Sequence, residues 1–288
     1  MTQVGGYHGG VIVAALGMTA ALLGWKAEIE KTGGVVVEVA EVEYDATGNE
    51  FRLRVETPRR AQFVKYLKNE SFVRQFAQMY GVMVHHKEEG GGGAYLVMLN
   101  GKKRREWAGH EEALVGHELG HAWIKAQGYA TPVFIDNAWA CVGVHAGDIT
   151  QHVLIREEMD RRGIGWRKFW LAGLEAAVGE LETRPAPEEK DRCARLKAAA
   201  QWVDVKLGMK TGEWANAGRY EAALKKWMPE VEETVSEVVD YMRRKNMGDR
   251  DEHREALKFV FEKLKDLGYQ RTKAYRVYVT LKGNPHVS

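Results

Sequence analysis

The stretch Glu111–Gln127, EEALVGHELGHAWIKAQ, constrains this chain more than any other. It carries good helix formers and no proline, and Gly109 just upstream is a start signal, so it predicts a helix. His117, Glu118 and His121 at its centre form the pattern H-E-x-x-H. At helical spacing the two histidines sit one turn apart on one face, where both imidazoles can reach a single metal ion. Glu118 is rotated by about 100° from His117, which sets a carboxylate beside that ion, able to take a proton from a bound water. Gly116, Gly120 and Ala122 are small and leave room for another element to approach. The bland alternative is a surface helix with two exposed histidines, but such a helix would carry lysines where this one has glycines.

GHELGHAW resembles the active-site helix of the zincin metallopeptidases. By position, the resemblance implies that His117 and His121 are zinc ligands and that Glu118 is the general base and proton shuttle. The metzincin extension would need glycine at position 124 and histidine at 127, whereas this chain has Ile124 and Gln127. The resemblance is therefore to the gluzincin-like arrangement, whose third ligand comes from a later helix. It covers the motif closely and residues 35–160 loosely, by order of elements; the last third of the chain has no part in it.

A second helix is expected at DITQHVLIREEMDRRG, with Asp148 as its cap and Gln151 at the capping-box position. Candidates for the third ligand are His145, Asp148, His152, Glu157 and Glu158. Ile149, Val153, Ile155 and Met159 define the apolar stripe of this helix, and His152 falls near the middle of it. Glu157 and Glu158 project at least about 100° from that centre. The stripe favours His152. A gluzincin would use a glutamate, so Glu157 or Glu158 stays open, and a satisfied core histidine is the bland reading of His152.

Before the motif, Val35–Tyr44 and Phe51–Glu56 alternate as strands around DATGNE, predicting a β-hairpin. Arg59–Tyr80 repeats aromatic and aliphatic residues at helical spacing, and strands follow at Val82–His86 and Ala94–Asn100 around the glycines Gly90–Gly93. His85 and His86 are adjacent, so a strand points them to opposite faces, and both read as surface residues. Ala94–Asn100 is a candidate for a rim strand that pairs with extended substrate, the alternative being an interior strand. Beyond Trp166 the pattern is helical: Trp166–Leu181, Glu188–Leu207, Trp214–Asn246 with a break at Pro229, and Asp251–Leu267, with a short final strand at Tyr275–Leu281.

The fold expected is α+β: a small antiparallel or mixed sheet packed on the H-E-x-x-H helix, then a mainly helical C-terminal region. Residues 1–30 are set apart as an apolar segment, 31–165 as the metal-binding α+β domain and 166–288 as the helical region. Residues 3–25 contain no charged side chain, and Val11–Leu23 is strongly apolar. The run reads as a membrane anchor, a signal peptide or a helix buried on the domain, with residues 9–25 the segment for membrane association. Lys26 and Lys31 follow it, which would turn the body of an anchored protein to the cytoplasm; the alternatives for location are membrane-anchored or cytoplasmic.

The 288 residues carry a net charge of only +2 with both signs interspersed, and no aromatic-basic motif argues for nucleic acid. Cys141 and Cys193 lie far apart with no C-x-x-C spacing, so buried free thiols are expected, and neither a disulfide framework nor a cysteine zinc site is. The function expected is zinc-dependent hydrolysis of peptide bonds in a peptide or protein substrate. Zn²⁺ would be held by His117, His121 and His152, with Glu118 as base and Tyr129 or His145 as weak candidates for the oxyanion contact. The alternative is a zincin-derived regulatory protein whose helical half binds a partner.

Overall fold

The computed structural model describes residues 18–44, 51–54, 57, 59–87, 93–132, 140–186 and 191–268. The turn at 45–50, most of the glycine run, the passage at 133–139 and the expected strand Tyr275–Leu281 lie outside the described residues. Two compact units divide the chain: residues 1–127 with 158–169, and residues 128–157 with 170–288.

The first unit is a mixed α+β structure. Helix α1 (Ala20–Gly33) is capped by Thr19, whose hydroxyl accepts from Leu22 N, and ends at Gly34 in the left-handed region (φ 60°). Leu22, Trp25 and Ile29 are fully buried on it. Residues 20–33 thus form a helix with one buried face, while residues 1–17 lie outside the described residues. Among the described residues no helix is long and apolar enough to cross a membrane.

Four strands follow: β1 (Val36–Tyr44), β2 (Phe51–Leu53), β3 (Gly81–Lys87) and β4 (Gly93–Asn100). Their order is β2-β1-β4-β3, with β1 antiparallel to β2, parallel to β4, and β3 antiparallel to β4. The hairpin expected from the alternation is present, pairing Val42 with Leu53 and Tyr44 with Phe51. One sheet face, formed by Ala40, Val42, Ala94, Leu96 and Met98, packs on Phe63, Leu67 and Phe76. These belong to helices α2 (Arg60–Leu67) and α3 (Glu70–Phe76).

Two expectations need correction here. The single helix at Arg59–Tyr80 is two short ones, because Asn69 caps α3 with its side-chain oxygen on Phe72 N, at 3.1 Å. Asparagine competes with the helix for backbone groups, so it breaks a periodic run without disturbing the apolar spacing. Ala94–Asn100 is not a rim strand. It is interior and every residue of β4 is buried, while the half-buried β3 is the edge. A strand covered on both faces reads as a continuous apolar run, which is how LVML appears.

Helix α4 (Arg104–Trp107) and helix α5 (Glu111–Ala126) complete the sequence-continuous part of this unit. The H-E-x-x-H helix therefore has nearly its expected bounds, and Gly109 enters it at φ 82°.

Helix α6 runs from Ala140 to Arg161, and its last turn belongs to the first unit. Asp148 is thus inside a helix and does not cap it. Gly143 and Gly147 disguise the earlier start, since glycine lowers helix propensity. At Gly147 the reason for glycine is space: a Cβ there would stand 3.0 Å from Pro132 Cγ.

The second unit is helical, with α7 (Arg167–Thr183), α8 (Arg192–Gly208), α9 (Ala217–Trp227), α10 (Glu232–Arg243) and α11 (Arg250–Gly268). Its interior includes Trp202, Val203, Val235, Val238, Met242, Val260 and Leu264. Pro229 opens a single 3-10 turn, Pro229–Val231, at the break expected from it. The cysteines correct the expectation of buried free thiols. Cys141 and Cys193 form a disulfide joining the starts of α6 and α8, and Cys193 is exposed. Fifty-two residues of separation conceal such a meeting, which only helix packing creates.

Candidate metal centre

Helix α5 presents His117 and His121 at consecutive turns, and their Nε2 atoms stand 3.3 Å apart. Two nitrogens bound at 2.0–2.1 Å to one tetrahedral ion are separated by about 3.3 Å, so this spacing fits a shared cation. The rings are close to perpendicular, at 83°, with centroids 4.9 Å apart. Glu118, between them in sequence, is buried at 6% exposure.

Packing holds α5 on its small residues. A Cβ on Gly116 would meet Met159 Cε at 3.0 Å and Ile164 Cγ2 at 3.1 Å, with Leu22 Cδ2 at 3.5 Å. Trp25 of α1 lies against Trp123, ring centroids 6.5 Å apart. Glycine is required at 116 for contact, not for conformational freedom.

The edge strand approaches the same helix. A Cβ on Gly81 would lie 3.0 Å from Glu118 Oε1 and 3.1 Å from its Cγ. The start of β3 is held by Asn100, fully buried at the end of β4. Its Nδ2 donates to Phe76 O at 3.0 Å and to Met79 O at 2.9 Å, and its backbone N donates to Tyr80 O at 2.7 Å. Trp107 Nε1 in turn donates to Asn100 O at 3.0 Å. Sequence reasoning passed over Asn100 and Gly81. A polar residue closing an apolar strand, and a glycine opening one, were the available signals.

His152 belongs to the second unit. On its own helix His152 Nδ1 faces Asp204 Oδ1 of α8 at 3.4 Å, and Arg156 Nη1 donates to the same oxygen at 2.8 Å. Burial pulls the His152 pKa down, but the Asp204 charge and hydrogen bond, with Asp148 further off, outweigh it and raise the net value. Burial opposes ionisation of Asp204, yet Arg156 and His152 hold its carboxyl far below the usual range. Asp204 is the partner that orients His152, and nothing in its sequence context, WVDVKL, marks it.

The other candidate residues have surroundings of their own. Glu158 accepts from Arg161 Nη2 at 2.5 Å, Arg161 Nε at 2.8 Å and Arg162 Nε at 2.6 Å; Glu157 is exposed. Asp148 Oδ2 lies 3.7 Å from His145 Nδ1, and His145 groups with the two cysteines. Tyr129 donates its hydroxyl to Gly248 O at 2.9 Å and sets its ring edge-on to His253. His85 and His86 face opposite sides of β3, against Tyr95 and Tyr66 respectively. Burial, Lys125 and Lys87 depress the His85 pKa.

Two imidazoles one turn apart on a helix are donors suited to zinc. Comparison with known proteins adds no relative: no family model, no curated protein and no solved structure matches the chain.

Proposed function

We propose that this protein is a zinc-dependent metallopeptidase of zincin type, with His117, His121 and His152 as ligands and Glu118 as general base. The observation that carries the reading is the pair of imidazole nitrogens 3.3 Å apart on a helix that also bears a buried glutamate. A structural zinc site would be closed by four protein ligands, whereas a three-ligand set is the catalytic pattern.

Bound zinc would supply a Lewis acid that acidifies water towards a pKa of about 7 and polarises a peptide carbonyl. Glu118 accepts the attacking water's proton on its carboxylate and passes it to the leaving nitrogen. Asp204 holds the His152 ring through Nδ1, which leaves Nε2 as the ligand atom; a partner of this kind also raises the ligand's basicity. Substrate is an extended peptide added to the outer edge of β3, whose free backbone groups pair with any main chain. Supporting that placement, β3 and β4 both contact α5, and Gly81 of β3 gives Glu118 its space. The sheet packed on the metal helix belongs to this reading.

The test is Glu118→Gln, which keeps shape and removes the base. Zinc measured by elemental analysis should stay at one per chain, while cleavage of an unstructured protein such as casein falls by roughly 100-fold or more. Wild-type protein loaded with zinc that cleaves no peptide in a mixed peptide library would sink the reading.

A further inference from the structure

A second cluster in the helical unit is unused by this chemistry. Cys141 and His145 sit one turn apart on α6, and Cys193 is the second residue of α8. A sulfur from each cysteine and a ring nitrogen of His145 all lie within 4.8 Å of one another. The two sulfurs are joined as a disulfide. We propose that this is a redox-gated metal site, closed while the disulfide stands and able to bind a soft divalent cation such as Zn²⁺ once it is reduced.

A structural disulfide needs no imidazole beside it. Here His145 repeats, at the same i, i+4 spacing, the arrangement of His117 and His121. With Nδ1 facing Asp148 Oδ2 at 3.7 Å, its Nε2 is the nitrogen available to a cation. Two thiolates and one imidazole make a Cys₂His set, which zinc accepts with water completing four-coordination. The α8 N-terminus favours the Cys193 thiolate, since a helix start carries partial positive charge. Asp191 fixes that start by accepting from Ala194 N at 3.1 Å. Reagents can enter, because Cys193 is exposed and Cys141 and His145 are partly so.

The chemistry balances with a dithiol reductant. It transfers two electrons and two protons to the disulfide, becoming a disulfide itself and leaving two thiols on the protein. Cation binding then displaces both thiol protons to solvent.

The site is tested in full-length protein carrying His117→Ala and His121→Ala, so that the histidine centre cannot take the ion and its own failure does not enter. Co²⁺ is the probe, because sulfur-to-cobalt charge transfer reports thiolate ligation directly. After reduction with a phosphine and its removal, one Co²⁺ per chain should bind with that band; oxidised protein should show no band. Cys193→Ser should abolish it, and His145→Ala should keep the band while weakening affinity by roughly tenfold or more. In unmutated protein, Zn²⁺ should shield both thiols from alkylation after reduction. Absence of the band together with unshielded thiols would overturn the proposal. So would loss of the helical circular dichroism on reduction, which would make the disulfide a brace.

Discussion

Helix α5 and the middle of helix α6 both present histidines, but their surroundings differ in kind. Around α5 the neighbours are apolar and close: Leu22, Met159 and Ile164 converge on Gly116, and Trp25 lies beside Trp123. His117 and His121 owe their mutual geometry to the helix alone, since four residues bring them to one face. Around His152 the neighbours are charged, with His152 and Arg156 sharing a single carboxylate oxygen of Asp204. The direction of that ring depends on another helix. A pair fixed by local geometry survives changes around it, whereas a side chain oriented by a distant partner loses its direction when the partner does.

The largest effect expected is from His117→Ala or His121→Ala, each of which should remove stoichiometric zinc, as read by elemental analysis of dialysed protein. His152→Ala should weaken zinc by roughly 100-fold or more, and Asp204→Asn by about 10- to 100-fold, measured against a chromophoric chelator. Zinc affinity untouched by Asp204→Asn would break the contrast between the two helices. Glu158→Ala sharpens it from the other side: zinc affinity should hold while thermal stability drops by about 1–3 kcal/mol, because half-buried Arg162 loses one of the two carboxylates it pairs with. Loss of zinc with Glu158→Ala would restore the glutamate ligand.

At Gly81 an added methyl must displace the Glu118 carboxylate, 3.0 Å away. Gly81→Ala should therefore lower kcat by roughly tenfold with zinc retained, a positional effect on the base. Unchanged kcat would detach β3 from the site.

His253 belongs to the second unit alone. Fully buried, with no hydrogen-bond partner for either ring nitrogen among the described residues, it is pushed down to about 4 by burial and by Arg254. The unfolded chain then binds more protons than the folded one between about pH 4 and 6.5, so stability falls as pH drops through that window. The loss is at most about 3 kcal/mol, and above pH 6.5 this group contributes no slope. His253→Leu should flatten the acid limb of a denaturation series between pH 7 and 4; an identical limb would show that His253 is not its source.

Much of the architecture was legible because it depends on spacing along the chain. Alternation in Val36–Tyr44 and the run LVML marked strands, and the i, i+4 spacing set two histidines on one helix face, since strand and helix periods are set by backbone geometry. Proline at 229 marked a break for the same local reason. The apolar stripe placed His152 on the inward face of its helix. It did not reveal Asp204, because a charge partner on another helix leaves no trace in the local pattern.

The remaining features were decided by packing. Whether LVML lies inside or at the edge of the sheet depends on which strand pairs with it, and β1 and β3 both do. Gly81 and Gly147 are glycines because Glu118 and Pro132 come close in space. Cys141 and Cys193 meet because two helix starts meet. Local sequence determines periods, caps and ligand spacing through steric limits on a few neighbouring residues. Partners distant in sequence are chosen by tertiary packing, where burial and charge pairing act between segments that the linear order does not relate.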